Sequence, residues 1–286
     1  MNKPLVVYHA NCADGFAAAW CFWRLFKDTM DYYPGTYASK TLPDFKDRHV
    51  YLVDFSYKRA VVEEILKEAK SVTLIDHHKT AIDELKDLPG LKQYVDNNHS
   101  GAILAWMYVE NHMRIFRDIG EDPPPVLAMI EDRDLWRFKW EETKPLSEFL
   151  FSHEYDFEVW DKLITADDAQ IKEMVAQGRA IQKKHMKDVK ETIRLTKRQM
   201  FIGGMKVPVA NILPMMASDA GSIMSLEAPF AATYSDGEHA RFFSLRSNKD
   251  NPNHVDVSKI AWGYGGGGHY HAAGFNVPRD HELAKT

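Results

Sequence analysis

Short apolar runs alternate with amphipathic stretches along the first half of the chain. Four runs rich in β-branched residues predict buried strands, at 4–9, 50–55, 71–76 and 91–96. Helical periodicity predicts four helices between and after them, at 14–27, 57–70, 100–119 and 126–132. Strands that alternate with helices are typical of a parallel sheet covered by helices, which places this half in the α/β class.

A long charged stretch with helical periodicity, at 167–196, separates this half from a second half of different texture. The pattern of the second half predicts a hairpin at 199–213 and a helix at 215–226. It then predicts paired strands at 230–236 and 240–247 and a short helix at 257–265. We therefore expect an N-terminal parallel-sheet domain over 1–166 and a helical connector over 167–198. A smaller α/β domain with a mixed sheet follows over 199–286.

The composition is that of an ordinary soluble globular protein, with 45% hydrophobic and 27% charged residues among 286. The two cysteines give no disulfide framework, so we expect a reducing, cytoplasmic setting. The longest apolar stretch, at 16–23, is too short to cross a bilayer. A net charge of −5 argues against a broad electrostatic clamp on duplex DNA but leaves small anionic substrates open.

Acidic side chains, histidines and one cysteine follow three of the predicted strands and one predicted helix. In chain order they are His9, Cys12 and Asp14, then Asp54, then Asp76, His77 and His78, then Asp132 and Asp134. Ligands bind open α/β sheets at the carboxyl ends of the strands, and carboxylates gathered there need a compensating cation. Carboxylates with imidazoles suit Mn, Fe or Zn better than Ca. The pattern predicts a metal site with His77 as a ligand, and with His78 facing the substrate or acting in proton transfer.

Each of these residues taken alone also has a structural explanation. Asp14 precedes a helix and is a candidate cap, and for Asp76 we favour a role as cap of the following turn. Asp134 can instead pair with Arg133 or Arg137 on a solvated face. The occurrence of all the clusters in one α/β half favours a shared site over independent caps.

A glycine-rich segment near the end of the chain, GYGGGGHYHAAGF at 263–275, is the second strong signal. Glycines let several backbone N–H groups approach one anion, and His269 and His271 follow the glycine run at once. Arg246, at the end of a predicted strand, can contact a phosphate through two N–H groups. The alternative is a flexible turn that joins a helix to the last strand.

In these motifs and in their order, the chain resembles the DHH phosphoesterase superfamily. IDHHKT is the motif that names the superfamily, and HANCADGFAAAW, LVDFSY and IEDRDLW resemble its first, second and fourth motifs. SLRSNKDNPNHVDVSKIAWGYGGGGHYHAAGF resembles the DHH-associated C-terminal domain. The resemblance covers nearly the whole chain. It implies a DHH domain and a DHH-associated domain with the active site in the cleft between them.

The resemblance also implies a manganese-dependent phosphoesterase with two metal ions. Carried over by position, the ligands of one metal are Asp14, Asp54, His77 and Asp132. Asp54 bridges to the second metal, whose remaining ligands fall at His9 and Cys12, and His78 matches a residue near the scissile phosphate. The substrate-phosphate pocket corresponds to Arg246, Gly266, Gly267, Gly268 and His269.

Cys12 departs from the pattern, because many members of the superfamily carry an aspartate at that position. A thiolate there either binds a softer ion or leaves the second site weakly occupied. The sequence therefore leaves the second metal open, and Mg²⁺, Co²⁺ and Zn²⁺ remain alternatives to Mn²⁺.

The function that this resemblance favours is hydrolysis of phosphodiester bonds in short oligonucleotides or dinucleotides. The alternatives are a phosphomonoesterase or polyphosphatase, for example on 3′-phosphoadenosine phosphate, and a nucleotide sensor that does not hydrolyse. We expect the partner to be a short single-stranded nucleic acid or a nucleotide, and we expect no membrane contact. A homodimer is left open.

Overall fold

The computed structural model describes residues 2–36, 41–113 and 122–285. The chain divides into two compact units, Met1–Gln182 and Lys183–Thr286, and the helix Asp168–Thr196 crosses the boundary between them. Among the helices in these residues, none is long and apolar enough to cross a membrane.

The first unit contains a five-stranded sheet in which every neighbouring pair of strands is parallel. Its strands are β1 (Leu5–His9), β2 (Asp31–Gly35), β3 (His49–Val53), β4 (Ser71–Asp76) and β5 (Leu91–Val95). The predicted parallel-sheet α/β class is confirmed. Strand β2 has no counterpart among the predicted strands, because DYYPG is not an apolar run. Its Pro34 is tolerated because β2 lies at the edge of the sheet.

Eight helices belong to the described part of the first unit or begin in it. They are α1 (Ala13–Phe26), α2 (Arg59–Glu68), α3 (Lys79–Leu85), α4 (Gly101–Met113), α5 (Pro125–Asp134), α6 (Thr143–Phe151), α7 (Phe157–Ile164) and α8 (Asp168–Thr196). The short helices α3, α6 and α7 are not among the predicted elements. The predicted helix over 100–119 is observed as α4, and its positions from 114 onward lie outside the described residues.

Helices cover both faces of the parallel sheet, because neighbouring strand residues point to opposite faces. On one face, Val6 packs in a core with Phe16 of α1. On the other, Leu5 and Val7 pack in a core with Val62 of α2. Burial on both faces explains why the strands appear in the sequence as continuous apolar runs.

The strand order β2-β1-β3-β4-β5 places a topological switch point between β1 and β3. The chain moves from β1 to one side of the sheet for β2 and then crosses to the other side for β3. Loops diverge there at the carboxyl ends of the strands and leave a crevice in which α/β proteins bind ligands. The clusters after β1, β3 and β4 belong to this end of the sheet.

The second unit contains a six-stranded mixed sheet in the order β10-β11-β9-β8-β7-β6. Its strands are β6 (Arg198–Ile202), β7 (Met205–Asn211), β8 (Ala231–Asp236), β9 (Ala240–Arg246), β10 (Gly267–Gly268) and β11 (Ala272–Pro278). Strands β7 and β8 are parallel, and the other neighbouring pairs are antiparallel. The predicted mixed sheet is confirmed, and so is the hairpin turn at Gly203 and Gly204, which have φ angles of 58° and 78°.

Two helices complete the second unit, α9 (Ala217–Met224) and α10 (Val257–Gly263). Val257 and Ala261 of α10 belong to the main core of this unit, together with Leu245 of β9. Ala220 of α9 packs with Val189 of α8 in a separate core. The sheet therefore has an α10 face and an α9 face.

Close packing of α8 against α6 makes a first prediction. A Cβ atom at Gly178 would lie 1.9 Å from the carbonyl oxygen of Pro145, so Gly178→Ala forces the helices apart. We expect the free energy of unfolding, measured by urea titration, to fall by about 1–3 kcal/mol.

Gly263→Ala is the matched control for Gly178→Ala. A Cβ atom at Gly263 meets nothing within 4 Å, and alanine favours the helical backbone at the end of α10. This variant is expected to be at least as stable as the wild type. Equal stability of Gly178→Ala and the wild type would contradict the close packing.

Candidate functional site

Asp54 lies at the centre of a buried cluster of acidic side chains and histidines. It follows β3, is 1% exposed and has a left-handed backbone with φ 51°. Its Oδ1 lies 3.1 Å from His77 Nε2, and its Oδ2 lies 3.6 Å from His9 Nδ1. A left-handed backbone at a residue other than glycine is held only where the surroundings fix it. Here it sets one carboxylate between two groups of side chains.

The first group gathers around His77, directly after β4. His77 Nε2 lies 3.5 Å from Asp134 Oδ2 and 3.7 Å from Asp14 Oδ2, in addition to its contact with Asp54. One nitrogen or oxygen from each of Asp14, His77 and Asp134 lies within 4.8 Å of the others. Two carboxylates and an imidazole at this spacing could hold one metal ion together with Asp54.

The second group lies on the other oxygen of Asp54. His9 ends β1, Cys12 immediately precedes α1, and one donor atom from each lies within 4.8 Å of the other and of Asp54. Burial raises the pKa of the Cys12 thiol, and its hydrogen bond with His9 offsets only part of the rise. The structure thus brings His9, Cys12 and Asp54 together, as the sequence predicts.

Asp14 is a helix cap, but not of the helix in which it lies. It belongs to the first turn of α1, while its carboxylate accepts hydrogen bonds from the N–H groups of Gly101 and Ala102 at the start of α4, at 2.6 and 3.0 Å. The unpaired N–H groups at a helix N-terminus stabilise an anion. These hydrogen bonds fix the Asp14 carboxylate beside Asp54 and His77.

Gly101 and Asn97 support the site and were not singled out from the sequence. A Cβ atom at Gly101 would lie 2.4 Å from the Cβ of Asp54, so only glycine lets α4 begin this close to Asp54. The amide nitrogen of Asn97 donates to the carbonyl oxygen of His77, at 2.6 Å. A glycine in the first turn of a predicted helix was the one available signal, because helices disfavour glycine.

Asp76 fixes the two histidines through hydrogen bonds to their backbone and to the ring of His78. Its Oδ1 accepts the backbone N–H groups of His77 and His78, at 2.8 and 3.2 Å, and lies 2.8 Å from His78 Nδ1. The interpretation of Asp76 as the cap of the following turn is confirmed. Its Oδ2 is buried and has no hydrogen-bond partner among the described residues, which adds an uncompensated oxygen beside the cluster.

Asp132 does not lie with the cluster. Asp134 lies beside His77 instead, in the place that the resemblance assigned to Asp132. Both oxygens of the buried Asp132 carboxylate accept the backbone N–H of Lys139, at 2.9 Å, and Thr143 Oγ1 donates to one of them, at 2.6 Å. Asp132 therefore holds the loop between α5 and α6. Two positions apart in a helix, the side chains differ by about 200° in direction, so only one of them faces His77.

The charges in the cluster need compensation. Burial raises the pKa of Asp14, and the neighbouring carboxylates of Asp54 and Asp134 raise it further. Burial opposes ionisation of Asp54 too, but hydrogen bonds from His77 and His9 outweigh it and lower the pKa of this carboxyl. The pKa of His77 is raised, against the effect of burial, by Asp54 and the other carboxylates. Protons thus balance the carboxylates, and a divalent cation fits the same donor set.

The second unit places Arg246 and the glycine segment on one sheet. Arg246 ends β9 opposite Ala272 of β11, and β10 lies on the far side of β11, about 10 Å from β9. A Cβ atom at Gly266 would lie 2.0 Å from the carbonyl oxygen of Gly274, so the glycine is required there. His269 donates its backbone N–H to the carbonyl oxygen of Ala272, at 2.7 Å.

The remaining predicted substrate residues, Gly267 and Gly268, form the short strand β10. Gly268 has a φ angle of 139°, and the segment joins α10 to β11, which is the structural role considered as the alternative. Pairing in the hairpin and anion binding use different backbone atoms of these glycines, so the structural role does not exclude the other. The assignment of these glycines and of His269 to a phosphate pocket stays a prediction.

Comparison with known proteins identifies one similar sequence. The chain is 31% identical to the uncharacterized protein R106 of Acanthamoeba polyphaga mimivirus over 297 aligned positions, which cover 94% of this chain. The chain spans 66% of the length of that relative. No protein-family model matches the chain.

Solved structures share the fold at low sequence identity. The DHH domain of a protein assigned to a family of ribosomal proteins has a TM-score of 0.58 and 13% identity, with 99% of this chain and 85% of that chain covered. The pGpG-specific phosphodiesterase PggH of Vibrio cholerae has a TM-score of 0.50 and 14% identity, with 97% of this chain and 94% of that chain covered.

The different roles of Asp134 and Asp132 give a second prediction. Asp134→Asn removes one negative charge beside His77, and we expect Mn²⁺ affinity to fall at least about tenfold with little change in stability. Asp132→Asn places an amide NH₂ near N–H and O–H donors, and we expect it to lower the free energy of unfolding by about 1–3 kcal/mol.

Both variants are measured by titrating metal-free protein with Mn²⁺, followed by electron paramagnetic resonance, and by urea unfolding in EDTA. The two measurements separate metal binding from folding. Loss of Mn²⁺ binding in folded Asp132→Asn, with normal binding in Asp134→Asn, would reverse the assignment.

Proposed function

We propose that this chain, which has the fold of the DHH phosphoesterase superfamily, is a metal-dependent hydrolase of phosphodiester bonds in short single-stranded oligonucleotides or dinucleotides. The observation that carries the proposal is the buried carboxylate of Asp54 between two groups of metal-ligand side chains. Paired groups that share one carboxylate suit a two-metal centre, which is a common device for phosphoester hydrolysis.

The proposed ligands of the first metal are Asp14, Asp54, His77 and Asp134, and those of the second are His9, Cys12 and Asp54. Mn²⁺ suits the first set best, because it consists of carboxylates and one imidazole. The thiol of Cys12 shifts the second set towards softer ions such as Zn²⁺ or Co²⁺. Divalent cations bound at such a centre neutralise phosphate charge and make water a stronger nucleophile.

His78 is the proposed proton donor. Its Nδ1 lies 2.8 Å from Asp76 Oδ1, and a carboxylate at that distance favours the tautomer with the proton on Nδ1. Nε2 is then the ring atom that takes up a second proton, and in the doubly protonated ring Nε2–H donates to the leaving oxygen or to a phosphate oxygen. Asp76 is a positioning residue, because it fixes the ring of His78 and the backbone of His77 through one oxygen.

The preference for short substrates rests on charge and on Arg246. A net charge of −5 does not favour electrostatic binding of long duplexes. Arg246, which the sequence predicts to contact phosphate, is proposed to supply one such contact. PggH is named as a phosphodiesterase specific for pGpG, which is a dinucleotide. Because PggH has the same fold and a similar length, its name supports a substrate of this size for the present chain. A short single-stranded nucleic acid is accordingly the proposed partner.

A second candidate function is favoured by Cys12. A thiol in place of the usual carboxylate makes the second set of ligands a poorer match for Mn²⁺, and a centre lacking one of its two ions would bind nucleotides without cleaving them. The protein would then be a nucleotide sensor. Metal counting in parallel with turnover separates the two candidates.

A substrate panel with Mn²⁺ tests the proposal. It contains 5′-phosphorylated dinucleotides, a ladder of short RNA and DNA strands, 3′-phosphoadenosine phosphate and polyphosphate. We expect turnover of the dinucleotides, with rates that fall steeply as chain length increases. EDTA should abolish the activity, and added Mn²⁺ should restore it.

Asp54→Asn should lower turnover more than about a hundredfold, because it removes the charge shared by the two groups. His77→Ala should do the same. Asp87→Asn, an exposed aspartate after α3, is the control and should keep wild-type rates. Wild-type turnover in Asp54→Asn would refute the proposed centre, and nucleotide binding without any turnover in the wild type would favour the sensor.

A further inference from the structure

Two histidine rings lie side by side in the second unit, and neither belongs to the Asp54 centre. His254 lies in the loop between β9 and α10, and His271 immediately precedes β11. Their ring centroids are 5.1 Å apart, and the ring planes are inclined by 54°. Both residues are half-buried, so solvent and small ions reach the pair.

The Nδ1 atom of each ring is bound to the protein. His254 Nδ1 lies 2.8 Å from the carbonyl oxygen of Asn251 and therefore carries the ring proton, because a carbonyl oxygen only accepts. His271 Nδ1 lies 2.9 Å from Ser247 Oγ, a hydroxyl oxygen that accepts a proton in the same way. Among the described residues, neither Nε2 has a hydrogen-bond partner. A histidine held through Nδ1–H, with its Nε2 lone pair open, is the usual arrangement of a metal ligand.

The separation of the two rings suits one tetrahedral ion. An ion bound about 2.0–2.1 Å from an imidazole nitrogen lies about 3.2 Å from the centroid of that ring. Two such rings at the tetrahedral angle have centroids about 5.2 Å apart, and the observed separation is 5.1 Å. The pair therefore has the ring spacing that a shared ion requires.

The backbone that carries the two rings is fixed by hydrogen bonds of its own. Ser247 donates its N–H to the carbonyl oxygen of His271, at 3.1 Å, and Val257 donates to that of Tyr270, at 2.9 Å. The buried amide of Asn251 anchors the loop, because it donates to three carbonyl oxygens of the segment between α9 and β8. Ligands that are already positioned lose little conformational entropy when an ion binds.

The chemistry of the pair indicates which ions it takes. Among the described residues, no carboxylate forms an ion pair with either ring. Imidazole nitrogens suit Zn²⁺, Cu²⁺ and Ni²⁺, whereas Mg²⁺, Ca²⁺ and Mn²⁺ prefer carboxylates, carbonyls and water. The pair therefore differs in preference from the carboxylate-rich ligands around Asp54.

We propose that His254 and His271 bind Zn²⁺ through their Nε2 atoms, with water in the remaining positions of a tetrahedral shell. The ion joins the loop between β9 and α10 to the start of β11. This inference goes beyond the proposed function, because it requires neither an ion at Asp54 nor turnover. Simple packing of the two rings, with Tyr270 against both of them, is the alternative that the experiment must exclude.

Zinc binding to the full-length chain tests the inference. Isothermal titration calorimetry with Zn²⁺ counts the sites in the wild type, His254→Gln and His271→Gln. We expect each variant to bind one Zn²⁺ fewer than the wild type, because glutamine has no imidazole nitrogen. The matched control is His239→Gln, in the turn between β8 and β9, where the side chain is 84% exposed. This control should keep the wild-type count.

Nuclear magnetic resonance of ¹⁵N-labelled histidine rings in the wild type locates the ion. Zn²⁺ should shift the Nε2 resonances of His254 and His271 together, and Mg²⁺ should shift neither. Ser247→Ala keeps both ligands but removes the side-chain hydrogen bond to Nδ1 of His271. We expect it to weaken Zn²⁺ binding about tenfold, an effect that ring packing alone would not produce.

The same Zn²⁺ count in the wild type and His254→Gln would overturn the inference, and so would a Zn²⁺ shift at only one of the two rings. Both measurements are independent of hydrolysis. Zinc binding by the pair in a protein that cleaves no substrate would support the site and count against the proposed hydrolase. Cleavage of dinucleotides, with no response of either ring to Zn²⁺, would overturn the zinc site and leave the proposed function intact.

Discussion

Repulsion among buried carboxylates is the constraint on which the first unit depends. Asp14, Asp54 and Asp134 approach one imidazole, that of His77, at the end of a parallel sheet. Water cannot screen these charges, because Asp14 and Asp54 are each 1% exposed. The backbone N–H groups at the start of α4, the protons on the histidines and, in the proposed function, divalent cations supply the compensation.

This constraint explains the close packing around the switch point. The N–H groups at the start of α4 donate to Asp14, and in this position α4 also begins against Asp54, so position 101 must be glycine. The left-handed backbone of Asp54 is kept because strand pairing and the start of α4 fix it from both sides. Asp76 and Asp132, which contact backbone and hydroxyl groups, hold the loops that carry His77, His78 and the start of α6.

The second unit uses a different physical arrangement. Arg246, Phe242 and several hydroxyl side chains lie on the α9 face of its sheet, in an antiparallel region. The opposite face of the same sheet is occupied by the main core and α10, which is why polar and apolar residues alternate along β9.

The sequence by itself determined the fold class and the apolar strands β1, β3, β4 and β5, because burial on both sheet faces leaves a local signal. It also predicted that Asp14, Asp54 and His77 lie near one another, because they follow the ends of strands in one sheet. Tertiary structure decided the rest. Strand β2 forms at a sheet edge, where pairing with β1 overrides a poor local pattern with Pro34. The choice between Asp132 and Asp134 depends on how α5 is rotated against the sheet, which helix periodicity near a helix end does not specify. The need for Gly101 appears only when α4 meets Asp54 across a long sequence separation.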